Sequence, residues 1–155
     1  MKPKRMLRLF LLLALFGAGQ AHAALLCTVA TLPVAFGSYD ALSSSAVDST
    51  GQVSVSCLGL LFPISYTISL SSGAAVGFSP RKMVLGAGQL NYNLYSDSAR
   101  NSVWGDGTGG TSTVSDTYSS LLGATKPYTV YGRVSGSQNV AAGVYVDSVV
   151  VTVTY

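Results

Sequence analysis

Glutamate is absent from this sequence, and its only histidine, His22, lies near the N-terminus. Without Glu or His, Asp is the one carboxylate left for acid–base chemistry. A Ser–His–Asp arrangement is impossible once the N-terminal segment is removed. Two Asp residues can serve a glycosidase, but the six here are scattered and mostly flank Ser or Gly, the setting of turn residues. A non-enzymatic protein is the expectation. Two cysteines cannot complete a tetrahedral zinc site unless Asp joins them, so no metal or other cofactor is expected.

Helical periodicity is also missing after residue 23. The apolar run "LFLLLALFGAG" is shorter than the ~20 residues that a membrane-spanning helix needs. It follows Lys2, Lys4, Arg5 and Arg8 and precedes "AHA" at Ala21–Ala23, a small-residue cleavage pattern. Residues 1–23 therefore read as a secretory signal peptide and residues 24–155 as one domain. Leu26, in the place of the small residue expected before a lipidated cysteine, argues against a lipoprotein signal. Four of the nine cationic side chains leave with the signal, so the balance falls from +3 to −1. No basic cluster or basic–aromatic stripe survives, and nucleic acid is not an expected partner.

What remains is rich in Ser, Thr, Gly, Val and Tyr, the composition of strands and turns. "CTVATLPVAFGSYD" gives a first strand broken near Pro33. In "QVSVSC", Val53, Val55 and Cys57 alternate with Gln52, Ser54 and Ser56. In "FPISYTISLSS", Ile64, Tyr66, Ile68 and Leu70 share one face. A Gly-containing loop leads to "QLNYNLYSD". Residues 96–126 read as irregular, with "WGDGTGG" at their centre; then come "YTVYGRVSG" and a final strand "YVDSVVVTVTY". Six or seven strands with one wet face per sheet predict an all-β sandwich.

Cys27 and Cys57, an even pair in an exported chain, predict one disulfide. Trp104 and Asp106 sit in the turn-rich loop. Core packing is the stronger reading for Trp104, and the alternative is a surface-binding loop made with Asp106. In the last strand Val149, Val151, Val153 and Tyr155 point to one face and Val150, Thr152 and Thr154 to the other. Such a strand with a free edge is a template for aggregation unless something pairs with it.

Four stretches together carry a family resemblance: "CTV" after the signal, "VSVSC", "YNLYSDSARNSVWGDG" and "GVYVDSVVVTVTY". The chain resembles the spore coat protein U domain family, which includes subunits of archaic chaperone–usher pili. The resemblance covers essentially the whole mature chain. It implies an immunoglobulin-like β-sandwich missing its last strand. The groove so left is filled first by a periplasmic chaperone and then by the donor strand of another pilus subunit, delivered at an outer-membrane usher. It further implies secretion through the periplasm to a surface pilus, with Val149, Val151, Val153 and Tyr155 bordering the groove.

Donating subunits carry an N-terminal extension, whereas Ala24, Leu25 and Leu26 alone separate the expected cleavage site from Cys27. At ~3.3 Å per residue they span about 10 Å, too little to fill a groove. The expectation is a subunit that accepts a strand without donating one, at the distal tip. Two further readings are a secreted coat or matrix protein built by the same exchange and a self-contained carbohydrate-binding module.

Overall fold

The computed structural model describes residues 27–57, 63–118 and 124–155; the expected signal peptide, residues 1–23, lies outside the described residues. Eight strands follow one another: β1 Cys27–Leu32, β2 Val47–Cys57, β3 Ile64–Leu70, β4 Arg81–Leu85, β5 Gly88–Tyr95, β6 Val114–Tyr118, β7 Ala124–Val134 and β8 Val151–Thr154. One sheet runs β1-β2-β7-β5-β4 and the other β6-β3-β8. Every ladder within them is antiparallel. The described chain is thus all-β, and an immunoglobulin-like sandwich fits it.

Alternation places the core. Val53, Val55 and Cys57 of β2, Tyr66, Ile68 and Leu70 of β3, and Leu90, Tyr92 and Leu94 of β5 are all buried between the sheets. Outward on the smaller sheet the side chains are Ser and Thr, with Ser65 Oγ 3.1 Å from Thr117 Oγ1 and Thr67 Oγ1 3.0 Å from Ser115 Oγ. Cys27 and Cys57 are opposite partners in the β1–β2 ladder and form a disulfide.

Three elements differ from the sequence reading. β4 occupies part of what reads as a loop. The stretch 96–126, expected to be irregular, contains β6 and the first residues of β7. Both β4 and β6 are only five residues long; β4 joins two cations to the continuous apolar triplet Met83–Leu85 and β6 is mostly polar, so neither gives a run of alternating apolar residues. The final strand is the third difference: its ladder is confined to Val151–Thr154. Upstream, Val146 makes one bridge to Val84, and the Ser71 N–H donates to the Val150 carbonyl at 2.9 Å. This segment therefore passes from the β4 edge of one sheet to the β3 edge of the other.

Trp104 is fully buried. Its N–H donates to the Leu94 carbonyl at 2.9 Å and its indole Nε1–H to the Ile68 carbonyl at 3.0 Å, which ties β5 to β3. Arg81 is buried beside it, donating to the carbonyls of Ser71 and Trp104 and to Asn93 Oδ1 at 3.0, 2.6 and 2.8 Å. A buried guanidinium is tolerated when its donors are matched in this way. At the far end of β5, where β7 has stopped, a side chain stands in for a strand. The Gln138 amide accepts from the Asn91 N–H at 2.7 Å and donates to the Asn91 carbonyl at 2.8 Å.

Candidate functional site

β1 and β8 are the last strands of their sheets. Val29 of β1 is 42% exposed, although Val55, its neighbour in the ladder and on the same face, is fully buried. An inward-facing valine left uncovered marks a flank where the sandwich is not closed. Pro33, which has no N–H to give, ends the β1 ladder. The chain then crosses the inner face of the larger sheet. It does so over two glycines. A Cβ on Gly51 would lie 2.6 Å from the Leu32 carbonyl oxygen and 2.8 Å from Val34 Cγ2, and one on Gly132 2.6 Å from Val34 Cγ1 and 2.7 Å from Phe36 Cζ. Phe36 packs edge-on against Tyr92 with ring centroids 5.9 Å apart.

This crossing segment is one wall of a groove, and the stretch from Tyr145 to Val151 is the other. Val53, Leu70, Met83, Tyr92, Leu94 and Val130 form the floor of a cavity of about 440 Å³. A second cavity of about 620 Å³ continues it towards Val140–Val144, sharing Val34, Phe36, Met83 and Tyr145. Among the described residues, the backbone of Val34–Tyr39 makes no hydrogen bond to other backbone; the Ala35 carbonyl accepts the Ser49 hydroxyl at 2.6 Å. The groove thus combines an apolar floor with unpaired backbone along a wall.

The sequence-predicted residues divide. Val149 and Val151 line the groove. Val153 is half-buried against the core but lines neither cavity, and Tyr155 is 58% exposed beyond the end of β8. The surface role considered for Trp104 is corrected by its burial, because both its N–H groups are satisfied inside the sandwich. Asp106, two residues on, is exposed and held in a turn. The hydroxyl and N–H of Thr108 bond to its carboxylate and keep it below the usual carboxylate range. The pair does not form one surface. Among the described residues no group of three His, Cys, Asp or Glu side chains converges as a metal site would.

Sequence reasoning missed the wall at Val34 and Phe36 and also Asp147, whose carboxylate faces Tyr92. A signal existed for the second: Asp147 is the single charged residue in the closing run "YVDSVVVTVTY".

An antiparallel sandwich with an apolar, unclosed flank defines an immunoglobulin-like domain with room for another strand. The chain belongs to the Spore Coat Protein U domain family, whose model matches residues 13–152. It is similar to Protein U of Myxococcus xanthus, with 35% identity over 132 residues, covering 77% of this chain and 70% of that protein. Its fold is similar to that of a chain in the CsuC–CsuE chaperone–tip subunit pre-assembly complex from the archaic chaperone–usher Csu pili of Acinetobacter baumannii. That match has a TM-score of 0.56 at 24% identity, and it covers 84% of this chain and 40% of the other. The chain thus spans about two-fifths of the solved chain that it matches.

Proposed function

We propose that this protein is a structural subunit of a surface pilus, assembled by the chaperone–usher route through strand donation. The observation that carries the reading is the groove between the β1–Phe36 wall and the Tyr145–Val151 wall, apolar below and with backbone groups unpaired at its side. An extended segment whose alternate side chains are apolar matches both properties. The Tyr145–Val151 wall is about 23 Å long at ~3.3 Å per residue. In the periplasm the occupant is a chaperone strand, exchanged at the outer-membrane usher for the donor strand of another subunit. Val149 and Val151 contribute to that interface from the groove wall, whereas Val153 and Tyr155 lie outside the groove. The structural relative in a chaperone complex supports this partner class.

The test uses Val151→Asp, which removes an apolar group from the groove wall and puts a charge there. The expected outcome is loss of chaperone co-purification and of accumulated subunit, since burying a valine is worth roughly 1.5–3 kcal/mol and an uncompensated charge adds to the cost. Normal accumulation and capture would overturn the proposal.

Position at the distal tip is the finer part of this reading. It rests on the three residues expected between the cleavage site and Cys27. Immunogold labelling confined to fibre ends supports it, and labelling along the shaft overturns it. The match to the Spore Coat Protein U domain model favours a second reading, a coat layer held together by the same exchange. Electron microscopy of the assembled material separates fibre from layer.

A further inference from the structure

The wall from Tyr145 to Val151 is thinly held for a segment that lines a groove. Its backbone has a two-bond bridge to Val84 and one bond from the Ser71 N–H. The rest of its support comes from side chains. Asp147 Oδ1 accepts the Ala74 N–H at 2.8 Å and the Ser148 N–H at 2.7 Å, while Oδ2 accepts the Tyr92 hydroxyl at 2.6 Å. The Ser71 hydroxyl accepts the Val150 N–H at 2.9 Å. The turn after β3 therefore grips the wall at two points, three residues apart.

The fit at Asp147 is close. Gly73 has φ +67°, and a methyl group placed on it would collide with the Asp147 carboxylate. Tyr92 is buried, and burial first, then the bond to Asp147, pushes its hydroxyl well above its usual range, so it remains a donor. A carboxylate suits the place because it is acceptor-only and faces three donors.

We infer that Asp147 is a positioning residue for strand capture, holding the Tyr145–Val150 wall extended before the strand arrives. This rests on the strand-accepting reading above. An incoming strand needs in-line N–H and C=O groups. If the wall is correctly extended for only a fraction of the time, capture weakens by that fraction. Once the strand is paired, the new ladder itself fixes the wall, and the carboxylate matters less.

The experiment follows a fluorescent, Lys-flanked peptide of alternating Val and Thr binding to the full mature chain with its disulfide intact. Asp147→Ala is expected to associate at least tenfold more slowly than the parent, with a dissociation rate changed less than twofold. A general loss of folding would not produce that split. Gly73→Ala, which evicts the carboxylate without removing it, is expected to do the same. Asp147→Asn is expected to restore association to within about threefold, because its Oδ1 still accepts the Ala74 N–H and its amide donates to the Tyr92 oxygen. Should Asp147→Ala not fold, Tyr92→Phe and Gly73→Ala carry the test. Parental association rates in both would overturn the role of Asp147 and leave the groove reading standing. A parent chain that captures no peptide would overturn the groove reading itself, and this inference with it.

Discussion

The two flanks of the sandwich solve the same geometric problem in opposite ways. On the flank of β6 and the lower half of β7, the larger sheet is also incomplete. β5 pairs with Tyr131–Val134 of β7 and leaves Ala124–Val130 without a ladder partner on that edge among the described residues. There the gap is bridged by polar side chains. Lys126 Nζ lies 2.9 Å from Asp116 Oδ2 and donates to the Thr117 carbonyl at 2.7 Å. The Tyr128 hydroxyl donates to Asp116 Oδ2 at 2.7 Å and meets the Tyr66 hydroxyl, and the Tyr118 hydroxyl donates to the Ala124 carbonyl at 2.9 Å. Pro127 removes one N–H from the exposed edge. On the flank of β1 and β8, among the described residues, one such bond reaches across, from the Tyr92 hydroxyl to Asp147 Oδ2, over a floor that is otherwise apolar. One flank is covered with charge and hydroxyl, and the other is left apolar.

The largest expected effect comes from making the open flank resemble the closed one. A strand of alternating apolar residues, appended after Tyr155 through a flexible Gly/Ser linker, would cover Val29, Val149 and Val151. At roughly 1.5–3 kcal/mol per buried apolar side chain, a net gain of about 5 kcal/mol is expected. At roughly 3 °C per kcal/mol for a domain of this size, Tm should rise by about 15 °C in thermal unfolding. An unchanged Tm would mean that the flank is already complete.

Removing the disulfide ranks next. Its partners are 30 residues apart, and the bond pins β1, which has no ladder partner on its outer edge among the described residues. Replacing both cysteines with Ser should cost about 3 kcal/mol in the chain-entropy view, read from chemical denaturation. Peptide capture should fall in parallel, because β1 leads into one wall of the groove.

On the closed flank, Tyr128→Phe should cost about 1 kcal/mol and leave peptide capture untouched. A change in capture would show that the two flanks are coupled. Smallest of all is the acid response of the same flank. The bond from Lys126, and then that from Tyr128, hold the Asp116 carboxyl below its usual range. A depressed carboxylate contributes stability above the unfolded value of about 3.9 and loses it as pH falls through the lower folded value. Stability should therefore be flat from neutral to about pH 5 and decline faster in the parent than in Asp116→Asn below about pH 4. The group is well exposed, so the difference should be slight.

How much of this was legible beforehand depended on whether the signal was local. Val53, Val55 and Cys57, and Tyr66, Ile68 and Leu70, announce their strands and their buried face through strict alternation. Arg81–Leu85 and Val114–Tyr118 announce nothing, because strands this short, without apolar alternation, are specified by neighbours already in place. The C-terminal wall could be read from its valines. The wall at Val34 and Phe36 could not, since it exists through the close approach to Gly51 and Gly132, each far away in sequence. Trp104 stands in a Gly-rich segment, yet as the one Trp of a small sandwich it could be read as a core residue. Its burial depends on the Ile68 carbonyl meeting its indole N–H, a pairing that no window of sequence displays. The disulfide was legible because export and an even count left few alternatives.

The Gln138 amide beside Asn91 bears on the valence of the molecule. β5 outruns β7, and the backbone of Asn91 would otherwise offer a donor and an acceptor to any passing strand. One side-chain amide, turning an N–H and its oxygen to Asn91 and its other donor capacity to the Ser135 carbonyl, satisfies both, so that position has no capacity left for a second chain. Glutamate there would keep the acceptor and lose the donor. Particles that join through a single kind of site can grow only in a line, whereas each extra site introduces branching. By occupying that edge from within, Gln138 removes one route by which further chains could pair and set the protein into a gel.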